Sequence, residues 1–243
     1  VSLIPAPSRL PARSVWRQAS PDRREIQKPA GGAATGRMAV QAEPVLVAGL
    51  IEVCRATIAA NSDHLCALDR AIGDGDHGTN MRRGCDAVSA EGESLSSLPF
   101  PDAMEKIGLT LVMNVGGAAG PLYGTLLMEI GRELRKSDEK ADFSQVLKQA
   151  IDAVARRGRA HAGDKTLLDV LYPVHAALAS RSPLGAIARR AERSASRTAD
   201  MKAMRGRAAY LGDRSIGHVD PGASSCALLT TAICRYLGEH RPQ

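Results

Sequence analysis

From about residue 44 onward the apolar positions recur at helical spacing. Val47, Leu50, Ile51, Cys54 and Ile58 fall three, four and seven residues apart. The same spacing links Met104, Ile107, Leu111 and Val115, and then Phe143, Val146, Leu147, Ala150, Ile151 and Val154. Ile72, Val88 and Val112 stand apart from any alternating run, so no strand is predicted. Eight helices are predicted, near residues 44–60, 78–91, 101–114, 121–136, 143–157, 165–180, 184–203 and 223–238. The fold class is all-α, an antiparallel eight-helix bundle.

The links between these helices differ in character. Four are rich in Gly, Asp and polar residues: Gly73 to Asn80, Gly116 to Pro121, Gly163 to Thr166, and Asp220 to Ser225. They join helices one and two, three and four, five and six, and seven and eight. In an up-and-down bundle every odd-to-even link lies at the same end, so all four converge on one rim. Each opens into a helix, whose N-terminus offers free N–H groups and a positive dipole end. Glycine lets the backbone approach a bound anion closely. The rim is therefore expected to bind phosphate.

Asp69, Asp74 and Asp76 place three carboxylates within eight residues of one another, at the end of the first helix and in the link that follows it. Alone they would repel a phosphate; around a hard divalent cation such as Mg²⁺ they would attract one. A calcium loop fails, because a loop starting at Asp69 has Asn80 where the bidentate Glu belongs, and one starting at Asp74 has Cys85. Zinc is disfavoured because His77 has no Cys or His at short spacing. Gly158, Gly163, Lys165 and Thr166 approach a Walker A loop, but Asp164 interrupts the pattern and no strand precedes it. Lys165 and Thr166 are left as nucleotide contacts from a helix start. His77, between the Asp cluster and a helix start, is expected to touch phosphate. Arg205 and Arg207, before the last link, can neutralise phosphate charge.

Composition narrows the field. Aromatics are 3% of 243 residues, too few for a base-stacking platform on single-stranded nucleic acid. The net charge of +6 points towards nucleic acid only until it is located. Residues 1–38 hold seven basic and two acidic side chains, so the rest of the chain is nearly neutral and no nucleic-acid partner is expected. No run reaches 18 uninterrupted apolar residues, so no membrane span is predicted. The five cysteines form no Cys-x-x-Cys pair, which fits buried thiols in a reducing, cytoplasmic setting. Residues 1–40 are expected to be a disordered or artefactual tail, with five of the 13 prolines and a possible start at Met38; residues 41–243 form the helical domain.

At the four links the chain resembles the L subunit of dihydroxyacetone kinase, its nucleotide-binding subunit. The matching stretches are Leu68 to Gly84, Val115 to Gly124, Gly163 to Val170 and Gly206 to Ser225. The resemblance implies an antiparallel barrel of eight helices with Mg-nucleotide at one rim. It implies Mg²⁺ ions on Asp69, Asp74 and Asp76, and phosphate on His77, Gly78, Thr79 and Asn80. It carries the second Gly-rich motif onto Ala118 and Ala119, and the purine environment onto Gly158 and Leu167. Arg207, Asp220, Pro221 and Gly222 come near the nucleotide. Ala119 stands where family members often have a hydroxyl, and Leu167 where methionine is frequent.

The function implied is that of an ADP/ATP-binding phosphotransfer subunit. It would present phosphate to a short-chain keto-sugar held on a separate K subunit. A free-standing L subunit usually belongs to the phosphotransferase-system form, in which a third, M subunit rephosphorylates bound ADP. A homodimer is a further partner to consider. Two other readings are a nucleotide-binding regulatory module acting on a transcription factor and a nucleotide domain of the fatty-acid-kinase type.

Overall fold

The computed structural model describes residues 44–137 and 142–240. The expected tail, residues 1–40, lies outside the described residues. Within them are nine α-helices and no strand: α1 Pro44–Ile72, α2 His77–Ala90, α3 Gly92–Ser96, α4 Phe100–Asn114, α5 Ala119–Lys136, α6 Phe143–Gly158, α7 Leu168–Ala179, α8 Leu184–Arg197 and α9 Pro221–Glu239. Eight are the predicted helices; the five-residue α3 is additional. Short 3-10 segments, Thr198–Asp200 and Arg207–Ser215, lie between α8 and α9.

The first helix runs twelve residues past its predicted end at 60. The polar run Asn61, Ser62, Asp63 looks like a terminator, yet the buried stripe continues through Ile58, Ser62, Leu65, Cys66, Asp69 and Ile72. Packing decides the helix here, not local polarity. Leu65 and Ile58 are fully buried, and each such side chain contributes about 1.5–3 kcal/mol on leaving water. Gly78 shows how closely α2 lies on this extension, because a Cβ there would strike the Ser62 carbonyl.

Neighbours in the chain are neighbours in space. Helix α1 packs on α2, α2 on α4, α4 on α5, α5 on α6, α6 on α7, α7 on α8 and α8 on α9, and α9 returns to α1. The ring closes into a barrel around one core that takes residues from every long helix. Helix α1 is long and apolar enough by length and hydropathy to cross a bilayer. It also carries Glu52, Arg55, Asp63 and Arg70, and its buried face is a stave of this barrel. All five cysteines are free.

Candidate functional site

The four Gly- and Asp-rich links meet around one cavity of about 510 Å³. Its acidic corner is built by the end of α1 and the start of α2. Asp69, in the last turn of α1, is 9% exposed. Its Oδ2 accepts the N–H of Asp76 at 2.9 Å and of His77 at 3.1 Å. One carboxylate thus caps a neighbouring helix and fixes the loop bearing the other two. Asp74 and Asp76 are exposed, and one oxygen from each of the three Asp lies within 4.8 Å of the others. Like charges at such spacing repel by roughly 3 kcal/mol per pair at a surface-like dielectric. An all-oxygen donor set with that repulsion suits a hard divalent cation. Arg207 forms an ion pair with Asp74, so the 3-10 segment Arg207–Ser215, ahead of the last link, brings counter-charge to the corner.

The helix N-termini are not equivalent. Helix α9 is capped by its own residue, Asp220 Oδ2 accepting the Ala223 N–H at 2.7 Å. At α7, Thr166 Oγ1 accepts the Leu168 N–H at 3.2 Å, and Asp169 accepts the N–H of Thr166 at 2.8 Å and that of Gly163. Helix α5 has no side-chain cap at Ala118, whereas at α2 it is Asp69, not Asp76, that takes the first N–H groups. The start of α5 is the end open to an anion. Gly117, before α5, has φ +66 and nothing within 4 Å of a would-be Cβ, so backbone here is bare towards the cavity.

Of the residues singled out from sequence, Asp69, Asp74, Asp76, His77, Asn80, Ala118, Ala119, Gly158, Thr166, Leu167, Arg207, Asp220, Pro221 and Gly222 line the cavity. Gly78 and Thr79 do not. Gly78 seats α2 on α1, and the Thr79 hydroxyl lies 3.4 Å from Cys66 Sγ. Lys165 lines the cavity, but its ammonium turns inward, contrary to a nucleotide contact. Nζ donates to the carbonyls of Met201, at 3.0 Å, and Ser215. The residue is 1% exposed, and burial lowers its pKa. It pins the segment bearing Arg205 and Arg207. Asn80 Oδ1 accepts from Arg83 at 3.0 Å.

Sequence reasoning missed Tyr123, which lines the cavity, and Asp169, which holds the third link. Thr166 and Asp169 have the Thr-x-x-Asp spacing of a capping box, a signal that was present. Pro121, Leu122, Val154, Ala160 and Leu167 give the cavity an apolar stretch away from the carboxylates. Burial keeps the His77 imidazole below its ordinary pKa, against the opposite pull of Asp69 and Asp76.

Burial also pushes the Asp220 carboxyl up to about 7, against the smaller pulls of the Ala223 N–H and the Lys165 ammonium. The native chain then holds a proton that the unfolded chain, with its ordinary carboxyl near 3.8, releases. Between those values unfolding gives up a proton, so this group makes stability fall as pH rises from about 4 to about 7. Asp220→Asn keeps an oxygen for the cap and removes the titration. Urea unfolding at pH 5 and pH 8 should show a smaller loss of stability in the variant than in the parent chain.

The DAK2 domain family matches residues 71–235. The chain is 40% identical over 174 residues to the ADP-binding subunit DhaL of PEP-dependent dihydroxyacetone kinase 1 of Listeria innocua, covering 71% of this chain and 86% of that one. It is 39% identical over 182 residues to the corresponding Escherichia coli subunit, covering 71% and 87%. Among solved structures, the dihydroxyacetone kinase of C. freundii in complex with AMP-PNP and Mg²⁺ superposes with a TM-score of 0.65 at 28% identity. That match covers 88% of this chain and 38% of the kinase chain, so the present chain spans about two fifths of the solved kinase. The family match and the length of the similarity to the two DhaL subunits assign the chain to the DAK2 domain family, among the ADP-binding subunits of dihydroxyacetone kinases.

Proposed function

We propose that this chain holds Mg-nucleotide in the rim cavity and serves as the phosphoryl-carrying subunit of a kinase acting on dihydroxyacetone or a related short-chain keto-sugar. One observation carries the reading. A three-carboxylate cluster with oxygens within 4.8 Å shares a cavity with the uncapped start of α5. Carboxylates beside anion-seeking helix ends make chemical sense when a cation and a phosphate chain bind together.

In this reading Asp69, Asp74 and Asp76 hold Mg²⁺, which supplies charge neutralisation for the phosphates. His77, Asn80, Ala118 and Ala119 border the phosphates, with Gly78 and Thr79 supporting the start of α2. Gly158, Leu167 and the apolar stretch receive the base, and Thr166, Arg207, Asp220, Pro221 and Gly222 close the remaining wall. Catalysis of phosphoryl transfer is mainly positioning and charge neutralisation, which such a wall provides. The sugar would sit on a K subunit docked at the rim. The PEP dependence in the relatives' names supports ADP that stays bound and is rephosphorylated by an M subunit, in the cytoplasm.

Native mass spectrometry of the purified chain tests the reading. The expected spectrum shows the mass of ADP with Mg²⁺, or takes it up at micromolar Mg-ADP and loses it with a chelator. A chain that never binds Mg-ADP would remove the proposal.

A further inference from the structure

We infer that Tyr123 and Ser225 are positioning residues, a buried hydroxyl relay that sets His77 to present an Nδ1–H donor to the phosphate site. The inference rests on the nucleotide reading above. Three side chains from three staves of the barrel meet here. Tyr123 OH lies 2.8 Å from Ser225 Oγ, and Ser225 Oγ lies 2.9 Å from His77 Nε2. They come from α5, α9 and α2, and Ser225 is completely buried. Tyr123 and His77 line the cavity, whereas Ser225 supports His77 from behind its wall.

Hydrogen counting gives the relay a direction. Tyr123 has one hydrogen, and its shorter contact is Ser225; the Gly222 carbonyl is at 3.4 Å. With Tyr123 donating to it, Ser225 has one hydrogen and two acceptors left in reach, the Gly222 carbonyl at 3.0 Å and His77 Nε2 at 2.9 Å. If Ser225 donates to Gly222, Nε2 must carry the imidazole proton, and Nδ1 is left as a lone pair. If Ser225 donates to Nε2, the neutral ring carries its proton on Nδ1. A lone pair towards phosphate repels it, and an N–H attracts it. An anion in the cavity therefore selects the second arrangement. The serine hydrogen swings from the carbonyl to the ring, and the ring proton appears on the opposite edge. Tyr123 favours this by donating to the serine oxygen, which makes the serine hydrogen a better donor.

The test uses the full chain labelled with ¹⁵N-histidine. With Mg-ADP bound, the His77 nitrogen shifts should report the Nδ1–H tautomer. Ser225→Ala should lose that signature and bind Mg-ADP about tenfold more weakly, or about 1.4 kcal/mol. Tyr123→Phe, which removes only the hydroxyl, should weaken binding less. It also keeps the test in hand if Ser225→Ala does not fold. In a His77→Ala background the Ser225→Ala loss should vanish, which a general packing defect would not do. Unchanged affinity in both relay variants, an Nε2–H tautomer in the bound parent chain, or a Ser225→Ala loss that persists without His77 overturns the relay. Failure of the parent chain to bind Mg-ADP overturns the nucleotide reading itself, a different result.

Discussion

A chain carrying both Asp74→Asn and Asp76→Asn is expected to bind Mg-ADP at least a hundredfold more weakly than the parent, about 2.7 kcal/mol. Each substitution replaces a negative oxygen donor by a neutral amide of nearly the same shape. Hard divalent cations depend on such charge, and two of the three carboxylates would be gone. Asp69 is the poorer probe. Its Oδ2 also holds the N–H groups of Asp76 and His77, so changing it would disturb the start of α2 as well as the donor set. The paired variant leaves that cap intact, and helix content by circular dichroism should match the parent. One opposing effect is built in. Without the Asp74 charge, Arg207 loses its ion pair and is free to meet phosphate. That gain belongs to ADP with or without metal. Titration calorimetry with and without Mg²⁺ separates the two: the metal-dependent part of the affinity should fall, and the metal-free part should hold or rise. Affinity within threefold of the parent in the presence of Mg²⁺ would take the Asp cluster out of the site.

What could be read from the chain alone follows from how local each cause is. Helical spacing is local, so the eight long helices were legible. Loop parity needs only the order of the helices, so the meeting of four links at one rim was legible too. The far half of α1 was not. Asn61, Ser62 and Asp63 read as a stop, and only the packing of α2 against that stretch, permitted by Gly78, overrides them. Lys165 shows the same limit in the site. Its sequence context places it beside a nucleotide loop, but its partners are carbonyls 36 and 50 residues away, so the ammonium turns inward. The pairing of His77 with Ser225 spans 148 residues, and that of Ser225 with Tyr123 spans 102; no spacing rule reaches so far. Asp169 is the different case, since its capping-box spacing is local and could have been read.

Given Mg-ATP and dihydroxyacetone, the 243-residue chain by itself is expected to form no dihydroxyacetone phosphate above background, and a sugar-binding partner subunit should start turnover. The physical ground is division of labour within the cavity. In the proposed reading its carboxylates answer a metal, the open start of α5 and the arginines answer phosphate, and the apolar stretch answers a base. A small keto-sugar needs more than space. Its hydroxyl must lie in line with the terminal phosphoryl group at roughly 3–3.5 Å, held there long enough for transfer. Holding it requires donors and acceptors aimed at the sugar, and the proposed reading already gives the polar groups of this wall to metal, phosphate or each other. The hydroxyl oxygen forms the new P–O bond as the bond to the nucleotide breaks, and the hydroxyl proton has to leave to a base. His77 is an unsuited base, because its Nε2 is bound to Ser225 and burial keeps its basicity low. A partner must supply both the grip and the base. Radiolabelled phosphate makes the expectation sharper: with the M subunit present, label should pass to bound ADP and then to the sugar, leaving no acid-labile phosphohistidine on this chain. Robust turnover by the chain alone, or label retained at His77, would mean that the cavity does the whole reaction and that its polar groups have been given the wrong partners.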